Sequence, residues 1–210
     1  MKLKAFLIMT AMIMTTFIIA CSSNGDHTPH THNGAPHDQQ GEHVQMEQDE
    51  TMHRPSFEAG EHHLEEPAAS LFDAVLDDYL SLSGVLVESD ASAAAETAGR
   101  LGSSVEELSQ AGFDGPVRDQ AAAWIAVLQA RSQEIAGESD VEEQRRSYLD
   151  LSETMIAMVE TFGHQKGQLY HQRCPMVNGG NGDWLSAQER IMNPYHGDRM
   201  LHCGSTVRTL

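Results

Sequence analysis

Basic residues are scarce in this chain of 210 residues. Lysine and arginine number 13 against 31 aspartate and glutamate residues, which gives a formal net charge of −18. Because nucleic acid requires a basic face on its protein partner, this balance argues against a nucleic-acid-binding protein. The acidic composition favours solubility and attracts cations without selecting among them.

Cysteines and catalytic constellations are also few. No nucleophile–base pair and no carboxylate pair stands out in the sequence, so we expect no enzymatic activity. The chain has three cysteines. Cys21 follows directly on the N-terminal apolar segment, which leaves Cys174 and Cys203 as the thiols of the folded part.

The N-terminal segment has the layout of a secretory signal peptide. Two lysines precede a long apolar run, and a small residue stands before Cys21. Ile18–Cys21 resembles a bacterial lipobox, in which the cysteine is diacylated. We therefore predict a signal peptide at residues 1–20 and lipidation of Cys21, which anchors the protein outside the cytoplasm, on the cell membrane or outer membrane. The alternative is a permanent anchor helix, because the run is borderline in length for a membrane span.

Residues 21–66 contain no helical or alternating apolar pattern. We predict a disordered tether, because such a polar segment cannot bury enough apolar surface to offset its ordering entropy. Eight of the twelve histidines lie in it: His27, His30, His32, His37, His43, His53, His62 and His63. A solvated stalk and a weak, exchangeable metal-capturing segment both remain open, since neutral imidazole binds copper, zinc and nickel.

Four segments within residues 67–163 carry apolar residues at steps of three and four, which predicts four helices. The predicted faces are Phe72, Val75, Tyr79, Leu82 and Leu86; Ala94, Ala98, Leu101, Val105 and Leu108; Val117, Ala121, Trp124, Leu128 and Ile135; and Tyr148, Ser152, Met155, Val159 and Phe162. We expect Pro67 in the first turn of the first helix, Asp114 as the cap of the third, and a Ser139–Glu142 capping box on the fourth. Short connections favour an up-down-up-down four-helix bundle.

Residues 164–210 do not continue this pattern, because glycine and proline interrupt any long helix. The predicted fold class is therefore all-α, a bundle followed by an irregular C-terminal region packed on it. Within that region we expect QLYHQ and STVRTL to pair as short strands. We expect LSAQERIM to form a short helix, with Ser186 and Glu189 at capping-box spacing.

The C-terminal region contains two pairs of sulfur side chains. Pro175 favours extended backbone at Cys174, and extended residues two apart face the same side, so Cys174 and Met176 can converge. Met200 and Cys203 are three residues apart, which places them on one face of a helical turn. Each pair combines a thiol with a thioether.

Thiolates and thioethers are soft ligands that select Cu(I) over hard cations. The predicted copper ligands are Cys174, Met176, Met200 and Cys203, with His171 or His202 as an additional ligand. Zinc remains open, because His171, His196 and His202 could complete a four-ligand site. A disulfide between Cys174 and Cys203 is also open, since exported proteins permit one. A catalytic thiol at Cys174, activated by His171, lacks an orienting group.

The motifs of this region also carry a family resemblance. The stretch LYHQRCPMVNGGNGDWLSAQERIMNPYHGDRMLHCGSTV, with the preceding EEQRRSYLDLSETMIAMVETFG, resembles a bacterial domain of unknown function. That domain occurs on lipoproteins and is fused to periplasmic adaptor subunits of copper/silver efflux systems. CPM also looks like the core of heavy-metal-binding modules in copper transporters. The resemblance covers Leu71–Leu210 and implies copper handling by Cys174, Met176, Met200 and Cys203, with an efflux adaptor as a partner.

Two functions of different classes follow from the sequence. The first is a lipid-anchored extracytoplasmic copper-binding protein that sequesters Cu(I) or hands it over. The second is a disulfide-stapled structural or interaction module of an envelope assembly that binds no metal. The state of the two thiols distinguishes them.

Overall fold

The computed structural model describes residues 62–177 and 179–210. The elements in this range are α1 (Ala68–Val87), α2 (Ala91–Ala111), α3 (Arg118–Gly137), α4 (Val141–Phe162), β1 (Tyr170–Cys174), β2 (Gly182–Ser186) and β3 (Ser205–Thr209). The predicted signal peptide, the lipidation site Cys21 and most of the tether lie outside the described residues. No helix within the described range has the length and apolar character to span a membrane.

The predicted apolar faces of the helices meet in one core. Val75, Leu101, Leu128 and Tyr148, one from each helix, are completely buried. Consecutive helices pack against each other, and α4 also contacts α1 and α2. Trp124 departs from the prediction, because it is only partly buried and packs at the edge of the core. Each large apolar side chain in the core contributes about 1.5–3 kcal/mol to folding.

The helix N-termini differ from the predicted caps. The Asp140 carboxylate accepts a hydrogen bond from the backbone N–H of Glu142 at 2.8 Å, so Asp140 caps α4 and the predicted Ser139–Glu142 capping box is wrong. Asp114 makes no side-chain capping bond, and the chain enters α3 through the short 3-10 turn Gly115–Val117 instead. An N-cap of the Asp140 type contributes about 1 kcal/mol.

A three-stranded antiparallel sheet follows the helices, and it corrects the all-α prediction. The central strand β1 pairs with β2 on one side and with β3 on the other. The predicted pairing of the two end segments is confirmed, with Tyr170 opposite Thr209. The predicted LSAQERIM helix is wrong, because Leu185 and Ser186 belong to β2. The Ser186 hydroxyl bonds the backbone of Gln188 and closes a tight turn where the helix was expected to begin.

The sheet region and the helices carry opposite charge. Residues 164–210 contain five lysine and arginine residues against three acids, whereas residues 62–163 contain five against twenty. The ion pairs that join the two parts are Lys166–Asp77, Arg199–Glu142 and Arg208–Glu160. Because these pairs are solvent-exposed, each contributes only about 0–1 kcal/mol. The buried contacts between sheet and helices therefore provide most of the docking energy.

Candidate metal centre

Cys174 ends β1 and is completely buried. The chain then turns back so that Cys174 lies opposite Gly182 of β2. The carbonyl oxygen of Val177 closes the turn by accepting hydrogen bonds from the N–H groups of Gly180 and Asn181, at 2.8 and 3.0 Å. A Cβ atom on Gly182 would lie 2.6 Å from the Val177 Cβ, so a glycine is needed for the turn to be this tight.

Cys203 approaches β1 from the other edge, two residues before β3 begins. Its N–H donates to the carbonyl oxygen of Met200 at 2.9 Å, and its own carbonyl oxygen accepts from Nδ2 of Asn193 at 2.9 Å. Gly204 follows with a φ of 144°, and a Cβ atom there would lie 2.8 Å from the carbonyl oxygen of Arg173. The missing side chain therefore lets the Cys203 segment pass directly against β1.

These two local structures bring the thiols of Cys174 and Cys203 together. Their Sγ atoms are 3.6 Å apart, and both cysteines are free. A disulfide requires about 2.05 Å between the sulfurs. Two sulfurs bound at about 2.3 Å to one tetrahedral metal ion would be about 3.8 Å apart. The observed separation is thus close to that of two ligands of a shared ion, and a small movement would also allow a disulfide.

The two thiols differ in their surroundings. Cys174 is completely buried, whereas Cys203 is partly exposed. The hydrogen bond with Cys174, together with burial, raises the pKa of the Cys203 thiol. The Cys203 thiol is therefore protonated at neutral pH. A soft metal ion must displace that proton when it binds, because the thiolate is the ligand form.

The two methionines of the predicted site lie at the protein surface, and each is close to one of the cysteines in sequence. Met176 is 63% exposed in the turn after β1, and Met200 is 36% exposed. The Cys203 N–H donates to the Met200 carbonyl oxygen and closes a turn. This turn directly follows the short 3-10 turn Gly197–Arg199, and the two do not form a longer helix. Large apolar side chains seldom remain this open in the described part of the chain, so both thioethers are available to a ligand from solvent.

His171 lies on β1, three residues before Cys174. Strand alternation places residues three apart on opposite faces, so the imidazole is directed away from the buried thiol. Its Nε2 atom is 3.4 Å from Oδ2 of Asp183, and neither ring nitrogen has a hydrogen-bond partner within the described residues. Burial lowers the pKa of His171, although the Asp183 carboxylate opposes the shift. The structure therefore pairs His171 with Asp183 instead of bringing it to the thiols.

His202 is exposed, and both of its ring nitrogens have partners. Nδ1 lies 2.8 Å from the carbonyl oxygen of Ile191, and Nε2 lies 3.0 Å from the Arg190 guanidinium. Because a carbonyl only accepts and a guanidinium only donates, these contacts fit a neutral imidazole with its proton on Nδ1. A metal ion would have to displace Arg190 to reach Nε2. His202 adjoins Cys203 along the chain. For His196, the third histidine considered for a zinc site, burial and nearby arginines lower the pKa.

Within the described ranges, there is no group of three side chains from histidine, cysteine, aspartate or glutamate that could hold a metal ion. The arrangement that the structure does bring together is a two-thiol centre. Any further ligand would be a thioether, a group that moves, or a group from another molecule. Because thiolates are soft ligands, such a centre is suited to a soft ion whose remaining ligands come from these groups.

Two buried polar residues of the C-terminal region were missed at the sequence level. Asn193 holds the segment that carries Cys203, and Gln172 donates from Nε2 to the carbonyl oxygens of Gln188 and Glu189, both at 3.0 Å. The sequence NPY around Asn193 indicates a turn. It contains no signal for the long-range bond that the side chain makes.

The helical part of the chain is similar to a known protein family. Residues 75–167 match a family model described as "Protein of unknown function (DUF3347)". The match supports assigning this helical part to a family of domains whose function is unknown, and it ends before β1. No curated protein and no solved structure matches the chain significantly.

Proposed function

We propose that this protein is a lipid-anchored extracytoplasmic Cu(I)-binding protein that sequesters the ion or hands it over. The observation that carries the proposal is the 3.6 Å separation of the Cys174 and Cys203 sulfurs. Thiolates are soft ligands that favour Cu(I), and two of them at this distance fit one ion. A resident zinc ion is the weaker candidate, because a structural zinc site is normally closed by four protein ligands.

The exposure of three of the four proposed ligands supports hand-over in preference to permanent storage. Met176 and Met200 are exposed and Cys203 is partly exposed, whereas Cys174 is completely buried. An ion held this way can exchange one ligand at a time with a thiol or thioether of a partner. The sequence resemblance makes an adaptor subunit of a copper/silver efflux system the proposed partner.

The remaining parts of the chain have supporting roles in this proposal. The four helices form an up-down-up-down bundle that carries the centre, which their short connections and successive contacts favour. Lipidated Cys21 anchors the chain to a membrane. Cys21→Ser should release it from the membrane fraction, and a variant that stays bound and uncleaved would indicate an anchor helix instead.

The histidine-rich tether is proposed to collect metal weakly. Its affinity should decrease as pH falls through about 6.5, because imidazole binds metal only when neutral. Deleting residues 22–63 should lower the metal stoichiometry and leave the tight site intact. If the deletion removed all metal binding, the tether would be the functional site.

The same sulfur separation also favours a second candidate, a disulfide-stapled interaction module without metal. A bridge between positions 174 and 203 would contribute roughly 3–4 kcal/mol in the chain-entropy model. The dithiol and the disulfide predict different chemistry for the isolated protein, and that difference can be measured.

A thiol-accessibility assay on full-length protein purified anaerobically separates the two candidates. The copper proposal predicts that the partly exposed Cys203 thiol reacts with a thiol reagent and that one equivalent of Cu(I) protects it. The alternative predicts that neither thiol reacts until a reductant is added. If Cu(I) failed to protect the Cys203 thiol of the reduced protein, the copper proposal would be wrong.

A further inference from the structure

Asn193 is completely buried and makes four hydrogen bonds within the segment that leads to Cys203. Its backbone N–H donates to the carbonyl oxygen of Leu201 at 2.9 Å, and its carbonyl oxygen accepts from the N–H of Gly197 at 3.1 Å. The side-chain Nδ2 donates to the carbonyl oxygen of Cys203, and Oδ1 accepts from the N–H of Tyr195, both at 2.9 Å.

These bonds fix both ends of the segment 193–203. The two backbone bonds hold the interior of the segment as a compact loop, and the Nδ2 bond attaches the end that bears Cys203. Regular secondary structure does not hold Cys203, because β3 begins only at Ser205. The backbone of Cys203 is therefore held against the loop by two bonds, from the Asn193 amide to its carbonyl oxygen and from its N–H to the Met200 carbonyl oxygen.

The other side of Cys203 is set by the close approach at Gly204. A Cβ atom at this position would lie 2.8 Å from the Arg173 carbonyl oxygen and 3.0 Å from the Trp184 ring. Cys203 is thus placed between the Asn193 amide and the end of β1. Both constraints act on the backbone of Cys203, whose thiol is partly exposed, whereas Cys174 is held by strand pairing.

We propose that Asn193 is a positioning residue that sets the effective concentration of the Cys203 thiol beside the Cys174 thiol. The inference rests on the proposed function, in which these two thiols are the metal ligands. Its effect is nevertheless on the thiols themselves and exists without copper. When the Nδ2 bond is lost, Cys203 samples more positions and the two sulfurs meet less often.

The test is the equilibrium between the dithiol and its disulfide in glutathione redox buffers. The full chain carries Cys21→Ser, so that only Cys174 and Cys203 respond. Asn193→Ala should lower the equilibrium constant for disulfide formation at least about tenfold, which corresponds to a potential about 30 mV less negative. Asn181→Ala is the matched control, because Asn181 is exposed in the same region, and it should leave the constant unchanged.

Two further variants keep the test decisive if Asn193→Ala folds poorly. Asn193→Asp retains an oxygen for the Tyr195 N–H but replaces the donor to Cys203 by a second oxygen, so it should shift the constant as alanine does. Gly204→Ala should shift it in the same direction by pushing Cys203 away from Arg173. Helical circular dichroism identifies the variants that are folded.

The result that overturns the inference is a constant within about twofold of the parent value in folded Asn193→Asp and Asn193→Ala. Cu(I) affinity, measured in parallel, separates this outcome from failure of the proposed function. If the constant shifts while the parent protein binds no Cu(I), Asn193 positions the thiols and the copper proposal fails. If the parent binds Cu(I) and the constant does not shift, only the positioning role fails.

Discussion

The hydroxyl of Tyr79 on α1 accepts a hydrogen bond from the backbone N–H of Leu185 on β2, at 3.0 Å. The same hydroxyl accepts from the Tyr148 hydroxyl at 2.9 Å and lies 2.6 Å from the Ser152 hydroxyl. Ser152 in turn donates to the carbonyl oxygen of Asp183 at 2.8 Å. Burial raises the pKa of Tyr79 and that of Tyr148, so both phenols remain protonated donors. A buried polar network thus attaches the sheet to α1 and α4.

Removing the Tyr79 hydroxyl should weaken this attachment. Tyr79→Phe leaves the Leu185 N–H and the Tyr148 hydroxyl buried without their acceptor, and each such group costs about 1–3 kcal/mol. Denaturant unfolding should therefore show a free energy of unfolding that is lower by this cost for each unpaired group. Tyr170→Phe is the control, because the Tyr170 hydroxyl bonds an exposed Gln168. If the two variants were equally stable, the network would not contribute to docking.

Arg145 is expected to be the most sensitive cation of the fold. Its buried guanidinium donates to the carbonyl oxygens of Leu86 and Pro194, at 2.8 and 2.9 Å, and to Glu142 at 2.6 Å. Arg145→Met leaves the Pro194 carbonyl oxygen without its donor, whereas Leu86 and Glu142 lose one donor each and keep the Ser89 N–H and Arg199. The free energy of unfolding should therefore fall by about 1–3 kcal/mol.

The neighbouring Arg146 provides a matched control for this change. Its side chain is 70% exposed and pairs only with Glu143 among the described contacts. Arg146→Met should change stability by less than about 1 kcal/mol. Similar losses for Arg145→Met and Arg146→Met would contradict the role assigned to Arg145 in joining α1, α4 and the loop before Gly197.

The free energy of unfolding should depend on pH through His171. Burial lowers its pKa below the ordinary value of 6.5, against the opposing Asp183 carboxylate, while Arg173 reinforces the shift. The unfolded chain therefore binds more protons, and stability should decrease as pH falls below about 6.5. His171→Gln should flatten this decrease, and His196, whose pKa is also lowered, should account for part of the remainder. Above about pH 7.5, the free energy of unfolding should depend on pH in the same way in the parent and in the variant. A difference between them that is seen only above this pH would contradict the assignment to His171.

The copper proposal predicts unequal roles for the sulfur ligands. Cys174→Ser and Cys203→Ser each remove a thiolate, so either should weaken Cu(I) binding far more than Met176→Leu or Met200→Leu. Competition with a Cu(I) chelator measures the difference. The Met→Leu changes nearly conserve volume and should cost under about 1.5 kcal/mol in stability. Equal losses from all four substitutions would show that the ranking of thiolate over thioether is wrong.

Local periodicity predicted most of the helical part correctly. Tyr79 and Tyr148 were expected on buried helix faces, and both are completely buried. The apolar spacing does not reveal what their hydroxyls bond, because Leu185 and Asp183 are far away along the chain. In the same way, Asp140 and Ser139 are both suitable caps, and only the backbone direction at the start of α4 decides between them.

The C-terminal region was harder to predict because its contacts are non-local. GDWLS is too short for periodicity to separate a strand from a helix, and its β structure depends on pairing with β1. The convergence of Cys174 and Cys203 depends on Gly182, Gly204 and Asn193, and each of them acts through a close backbone approach or a long-range hydrogen bond. Residue chemistry indicated which sulfur atoms to consider, whereas their separation required the fold.

The most direct test of the central claim is X-ray absorption at the copper edge. The full chain is reduced, loaded with one equivalent of Cu(I), and compared with Cys203→Ser. We predict a first shell dominated by sulfur in the parent protein, with fewer sulfur neighbours in the variant. A parent shell containing only nitrogen and oxygen would contradict the claim that Cys174 and Cys203 together hold the ion.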